Sequence, residues 1–173
     1  VALVVLLRGV NVGGHRTFRP TALAAELKHL DVVNIGAAGT FVVRKPMRRT
    51  QLRAEFAKRL PFNTEIVICD GRDVVKLVSG EHFAGQAIRP DVVRFVSVLS
   101  RRSRVVPSVP ISLPATGKWL VKLVARENEF VFGLYRRHMK TIGYLGTLDN
   151  VLGVPVTTRN WNTVTAIGKV LNQ

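Results

Sequence analysis

The chain has 173 residues, 47% of them hydrophobic, and carries 26 Lys and Arg against 11 Asp and Glu, a formal net charge of +15. A single cysteine, Cys69, excludes an intramolecular disulfide, and no apolar run approaches the roughly 20 residues that a spanning helix needs. These features predict a cytoplasmic protein with no membrane partner. The chain begins at Val1 rather than Met, so a short N-terminal piece is expected to precede it. The length suits one compact domain or two small ones. With aromatics at 7%, the core must come mostly from Val, Leu, Ile and Ala. The positive excess attracts polyanions. Residues 1–70 hold 11 basic and 5 acidic side chains and residues 71–173 hold 15 and 6, so the charge is spread and is not a basic tail.

Val1–Leu7 is a continuous apolar run, the pattern of a strand covered on both faces. A helix is expected from Pro20, with Leu23, Leu27 and Leu30 at helical spacing. Asp31–Ile35 and Thr40–Arg44 read as a hairpin around Gly36-Ala37-Ala38-Gly39. Leu52, Phe56 and Leu60 give a second amphipathic helix stopped by Pro61, and Thr64–Cys69 is a further strand closed by Asp70-Gly71. The order β-α-β-β-α-β is that of a ferredoxin-like plait, with both helices on one face of a four-stranded antiparallel sheet.

The second half predicts a looser version. Val74–Val78 is a short helix and Val92–Leu99 a strong strand. Pro107, Pro110 and Pro114 rule out a regular helix in the next stretch. Trp119–Ala125 and Phe130–Tyr135 form a hairpin, and Ile142, Leu145, Leu148 and Leu152 space like a helix weakened by Gly143 and Gly146. Val154–Thr158 is a strand, and Trp161, Val164, Ile167 and Leu171 mark the last helix, with Asn160 as its expected N-cap. The fold class is therefore α+β: tandem ferredoxin-like α/β plaits, antiparallel sheets with helices on one face, the second irregular. The expected division is 1–70 and 71–173, packed without a linker.

Two stretches carry a family resemblance. Arg8-Gly9-Val10-Asn11-Val12-Gly13-Gly14-His15 resembles the "LLRGINVGG" opening of bacterial domain-of-unknown-function family 1697. Leu152–Val164, LGVPVTTRNWNTV, is similar to that family's closing "LGVPATTRNWNTV". The resemblance implies two ferredoxin-like subdomains and no established activity. Three stretches depart from the family pattern. Thr40 replaces an Asn, the proline-rich stretch replaces a helix, and His138-Met139-Lys140-Thr141 stands where "SKL" is usual.

Neither nucleotide motif holds in the opening loop. Asn11 occupies the place of the second Gly of G-x-G-x-x-G, and Gly14-His15-Arg16 is not the Gly-Lys-Ser/Thr of a P-loop, so no cofactor is expected. What remains is an anion-nest candidate or a structural loop. His15 is the best-placed candidate base, and no close carboxylate pair supports acid–base catalysis, so whether the protein is an enzyme stays open. The four histidines lack ligand spacing, and no metal site is expected. Thr157–Thr163 lies at a strand-to-helix junction that favours an anion, although Asn160 as a cap and Arg159 in an ion pair are the structural alternative. The favoured reading is a small anionic ligand in a cleft between the plaits, lined by Arg8, Asn11, Gly13, Gly14, His15, Arg159, Asn160 and Asn162. The alternative is non-sequence-specific nucleic-acid binding through Arg48, Arg49, Arg101, Arg102, Arg104, Arg136 and Arg137. The central strands lack the aromatics on which RNA bases stack.

Overall fold

A computed structural model describes residues 1–11, 14, 16–103 and 106–173. The chain divides into two compact units, Val1–Gly80 with Asn162–Gln173, and Glu81–Trp161.

The first unit begins with β1 (Leu3–Leu7), α1 (Pro20–Glu26) and a 3₁₀ turn (Lys28–Leu30). It continues through β2 (Val32–Ile35), β3 (Thr40–Val43), α2 (Arg49–Ala57) and β4 (Ile66–Asp70). Its sheet runs β2-β3-β1-β4, all antiparallel, the strand order of a ferredoxin-like plait. The leucines read at helical spacing are the ones that fill the core. Leu23, Leu27, Leu30, Leu52, Phe56 and Leu60 pack with Leu3, Val5, Leu7, Phe41 and Val43. Phe41 and Phe56 meet edge to face at 5.2 Å. The alternate residues Val4, Leu6, Val42 and Cys69 are buried too. Both faces of β1 are therefore covered, as its unbroken apolar run requires.

The tight turn Gly36–Gly39 joins β2 to β3. Gly39 has φ +80°, and a Cβ there would stand 2.8 Å from Leu7 Cβ and from Val10 Cγ2. This turn thus holds the end of β1 against the hairpin, with Leu7 N donating to Gly39 O at 2.8 Å. After β4 comes α3 (Gly71–Ser79). Asp70 caps it, its Oδ1 accepting from Arg72 N at 3.0 Å. That backbone hydrogen bond, helped by the Arg72 guanidinium, holds the Asp70 carboxyl below the usual carboxylate range. The C-terminal helix α6 (Trp161–Leu171) approaches α3 closely, since a Cβ on Gly168 would lie 3.1 Å from Val78 Cγ2.

The second unit contains β5 (Val92–Leu99), β6 (Ile111–Leu113), β7 (Val121–Glu127) and β8 (Phe130–Arg136). Then follow α4 (Thr141–Leu145), α5 (Leu148–Leu152) and β9 (Val156–Asn160). The sheet order is β6-β7-β8-β5-β9, every pair antiparallel. Without β6 this is again the plait order. The irregularity lies where the prolines predict it: among the described residues no helix lies between β5 and β6, and Ile111–Leu113, bracketed by Pro110 and Pro114, forms a short edge strand instead. The expected single helix over 142–152 is two short ones. Thr147 closes the first, its N–H and its hydroxyl both donating to Tyr144 O, at 3.0 and 2.7 Å. Gly133 sits opposite Phe95 in the β5–β8 register, and any Cβ at 133 would collide with the Phe95 ring. The ring thus lies over the glycine and heads a core with Leu99, Leu123, Val131, Leu148 and Leu152. Among the described residues no helix is long and apolar enough to cross a membrane.

Two measurements check this account. Gly39→Ala should lose roughly 2–5 kcal/mol in urea unfolding, from φ strain plus overpacking. Gly36→Ala should lose about 1–2, because φ is +67° there and no described atom lies within 4 Å of the added Cβ. Asp70→Ala should lose about 1 kcal/mol at neutral pH. Because the folded pKa of Asp70 is lowered, its contribution is full above the ordinary carboxylate range and fades as pH falls through the lowered value. The wild-type advantage over Asp70→Ala should therefore shrink in acid.

Candidate functional site

The opening loop follows β1 directly. Arg8 continues the β1–β4 ladder by one bond, its N–H donating to Glu65 O at 3.1 Å, and its guanidinium stands 4.0 Å from Glu65 Oε2. Its carbonyl accepts from the Thr64 hydroxyl. Asn11 has φ +54° and uses both ends of its amide. Nδ2 donates to Ala37 O at 2.9 Å, and Oδ1 accepts from Phe18 N at 2.9 Å. Asn11 N also donates to Arg16 O at 3.2 Å, which closes the loop on itself. Asn tolerates this left-handed conformation better than most residues. The Asn of the opening motif thus ties the loop to the Gly36–Gly39 turn. Gly14 is exposed with φ +79°. Gly13 and His15 lie outside the described residues.

The closing motif occupies β9 and the start of α6. Pairing with β5 puts Arg159 opposite Val96 and Thr158 opposite Ser97. Alternation then divides the motif. Thr158 faces one side of the sheet and shares a 2.6 Å hydrogen bond with the Ser97 hydroxyl. Thr157 and Arg159 face the other side, and both are buried, at 2% and 8% exposure. Arg159 Nη1 donates to Thr158 O at 2.9 Å. Thr157 Oγ1 is buried with no hydrogen-bond partner among the described residues. Burial pulls the Arg159 guanidinium down to about 10, so it remains a cation at neutral pH. Asn160 is exposed, its Oδ1 3.4 Å from the Tyr135 hydroxyl that donates to it. Asn162 is exposed in the first turn of α6.

An aromatic cluster that the sequence does not reveal lies in the same unit. His82 stacks on Phe132 at 3.8 Å, nearly parallel, with Nδ1 3.7 Å from Glu127 Oε2. Phe83 and Trp161 complete it, 5.2 Å apart and edge to face, and Arg94 lies 5.1 Å over the Phe83 ring. The residues are far apart along the chain and show no periodicity, so only β-sheet register could reveal the grouping.

The arginines considered for nucleic acid divide as well. Arg48, Arg49, Arg101, Arg102 and Arg137 are exposed and Arg136 is half-buried. Arg49 donates to Ile68 O at 3.0 Å. Arg136 lies 4.0 Å over the Trp119 ring and donates to Trp119 O at 2.9 Å. Arg137 Nε is 3.4 Å from Pro90 O. Arg104 lies outside the described residues. Among the described residues no group of three His, Cys, Asp or Glu is placed to hold a metal ion.

The comparisons agree with this architecture. The family model described as "Protein of unknown function (DUF1697)" matches residues 1–107. The solved structure of the conserved bacterial protein SP0830 from Streptococcus pneumoniae is similar over 98% of each chain, with a TM-score of 0.62 and 17% sequence identity, a likeness of fold. None of the curated proteins compared with the chain matches it.

Asn11→Ala should lower stability by roughly 1–3 kcal/mol, since it removes two side-chain hydrogen bonds and leaves a strained φ. Urea unfolding checks this, and a variant as stable as the parent would show that the loop does not depend on the amide.

Proposed function

The chain belongs to the DUF1697 family of proteins of unknown function, and we propose that it binds a small anionic ligand, with Arg159 supplying the charge. The observation that carries this reading is the burial of that one cation. Arg159 is 8% exposed, on the same face of β9 as the buried Thr157. Water screens a charge there poorly, so an anion is attracted far more strongly than at the surface. A guanidinium also matches the planar fork of a carboxylate or the oxygens of a phosphate. Thr157 Oγ1, two residues away on the same strand face, supports the reading as a buried hydroxyl with hydrogen-bonding capacity left. Asn160 and Asn162 flank the start of α6, where the helix dipole also favours negative charge.

A charge retained against its desolvation cost for the sake of a ligand should weaken the empty fold. Arg159→Met keeps most of the volume and removes the charge, so the unliganded variant should be as stable as the parent or more so. A thermal-shift screen of small carboxylates and phosphates should find compounds that raise the parent's Tm and leave Arg159→Met unmoved. The pH dependence has a definite sign. Burial lowers the Arg159 pKa to about 10, so the cost of its charge is full below that pH and is relieved as pH rises through it, where ligand binding should fade. A destabilised Arg159→Met with no responsive ligand would mark the residue as purely structural.

A further inference from the structure

We infer that one end of the second unit's sheet is a docking surface for anionic lipid bilayers. The observation is a set of exposed large apolar side chains on segments that leave one end of a strand ladder. Ile88, Met139 and Ile142 are 85%, 88% and 78% exposed. They lie on two segments that leave the same end of the β5–β8 pair, whose last rung is Val92 with Arg136. Beyond it the segments stay joined, Arg137 N donating to Asp91 O at 2.8 Å. The start of β7 reaches the same end, with Arg136 N donating to Leu120 O at 2.8 Å, and brings Trp119 under the Arg136 guanidinium.

The surrounding charge is of one sign. Arg89, Lys118, Arg137 and Lys140 are exposed on these segments, and their one acid, Asp91, stands 3.5 Å from Arg136 Nη1. Protruding aliphatic side chains ringed by Lys and Arg, with a tryptophan beside them, are the composition that settles at the headgroup boundary of an anionic membrane. Each apolar side chain stands almost wholly in solvent, which suits a fluid bilayer that needs no complementary pocket. No spanning segment is required, so the expectation of no membrane partner, drawn from the lack of such a segment, does not bear on a surface contact. The inference is independent of Arg159.

Co-sedimentation of the full chain with phosphatidylcholine vesicles, with and without about one part in three phosphatidylglycerol, tests it. Binding should require the anionic lipid. Ile88→Ser/Met139→Ser/Ile142→Ser should weaken it by at least about tenfold while leaving Tm unchanged, since all three side chains are exposed. Arg137→Gln/Lys140→Gln should weaken it roughly thirtyfold. Lys28→Gln/Lys45→Gln, an equal loss of charge from exposed positions of the first unit, should stay within about twofold. Unchanged binding by the triple serine variant would show that net charge alone attracts the protein and would overturn the inference. So would equal binding to neutral vesicles, an equal loss in the lysine control, or retention only by another protein with no vesicle binding.

Discussion

Burial of the strands on both sides is the constraint from which most of this structure follows. β1 lies between β3 and β4, and all five of its side chains are buried. β5 lies between β8 and β9, and Phe95 through Leu99 are buried on alternating faces. A strand whose side chains are buried on both faces has no solvent face for a polar group, so each such group needs a partner within reach. Ser97 and Thr158 meet this demand by sharing a hydrogen bond. Arg159, whose Nη1 donates to Thr158 O, is the group whose burial costs most, because a guanidinium loses more on leaving water than a hydroxyl does. The closing family motif thus places a cation on a buried strand face.

The positive charge has more than one use. Arg44 pairs with Asp31 at 3.0 Å, and Arg59 with Glu55 at 2.5 Å. Arg49 and Arg53 donate to carbonyls of β4, at 3.0 and 3.4 Å, from α2. Arg136 joins Trp119, Leu120 and Asp91 at the end of the second sheet. Arginine suits such work, since its planar fork reaches several acceptors while its stem covers apolar surface. A count of +15 therefore overstates the charge free to meet a polyanion, and clusters of arginine in the sequence are not by themselves a nucleic-acid surface. What distinguishes the segments around Arg89 and Lys140 is that they carry exposed apolar side chains as well as exposed cations.

The two family motifs do different physical work. In the opening motif Asn11 is occupied by the loop and by the Gly36–Gly39 turn, one at each end of its amide, and among the described glycines the one that packs most tightly against the end of β1 and Val10 is Gly39, from outside the motif. In the closing motif, strand alternation separates neighbours, sending Thr158 to one face and Arg159 to the other. A run of adjacent letters, TTRN, is thus two chemically distinct surfaces.

The sequence by itself determined the element order of the first plait, the leucines of its core and the place where the second plait loses a helix. Those features rest on local rules: helical spacing of Leu23, Leu27 and Leu30, alternation or unbroken apolar runs in strands, and prolines that cannot donate a backbone hydrogen bond. It also marked Arg159, Asn160 and Asn162 as a group, because they are neighbours in the chain. Tertiary structure decided the rest. The break between α4 and α5 depends on the Thr147 hydroxyl finding the Tyr144 carbonyl, and the edge strand β6 exists only because β7 offers it a ladder. The burial of Arg159 follows from strand register, and the stacking of His82 on Phe132 from tertiary packing. Register is a pairing between distant segments, set by how whole faces bury against one another, and no local pattern encodes it.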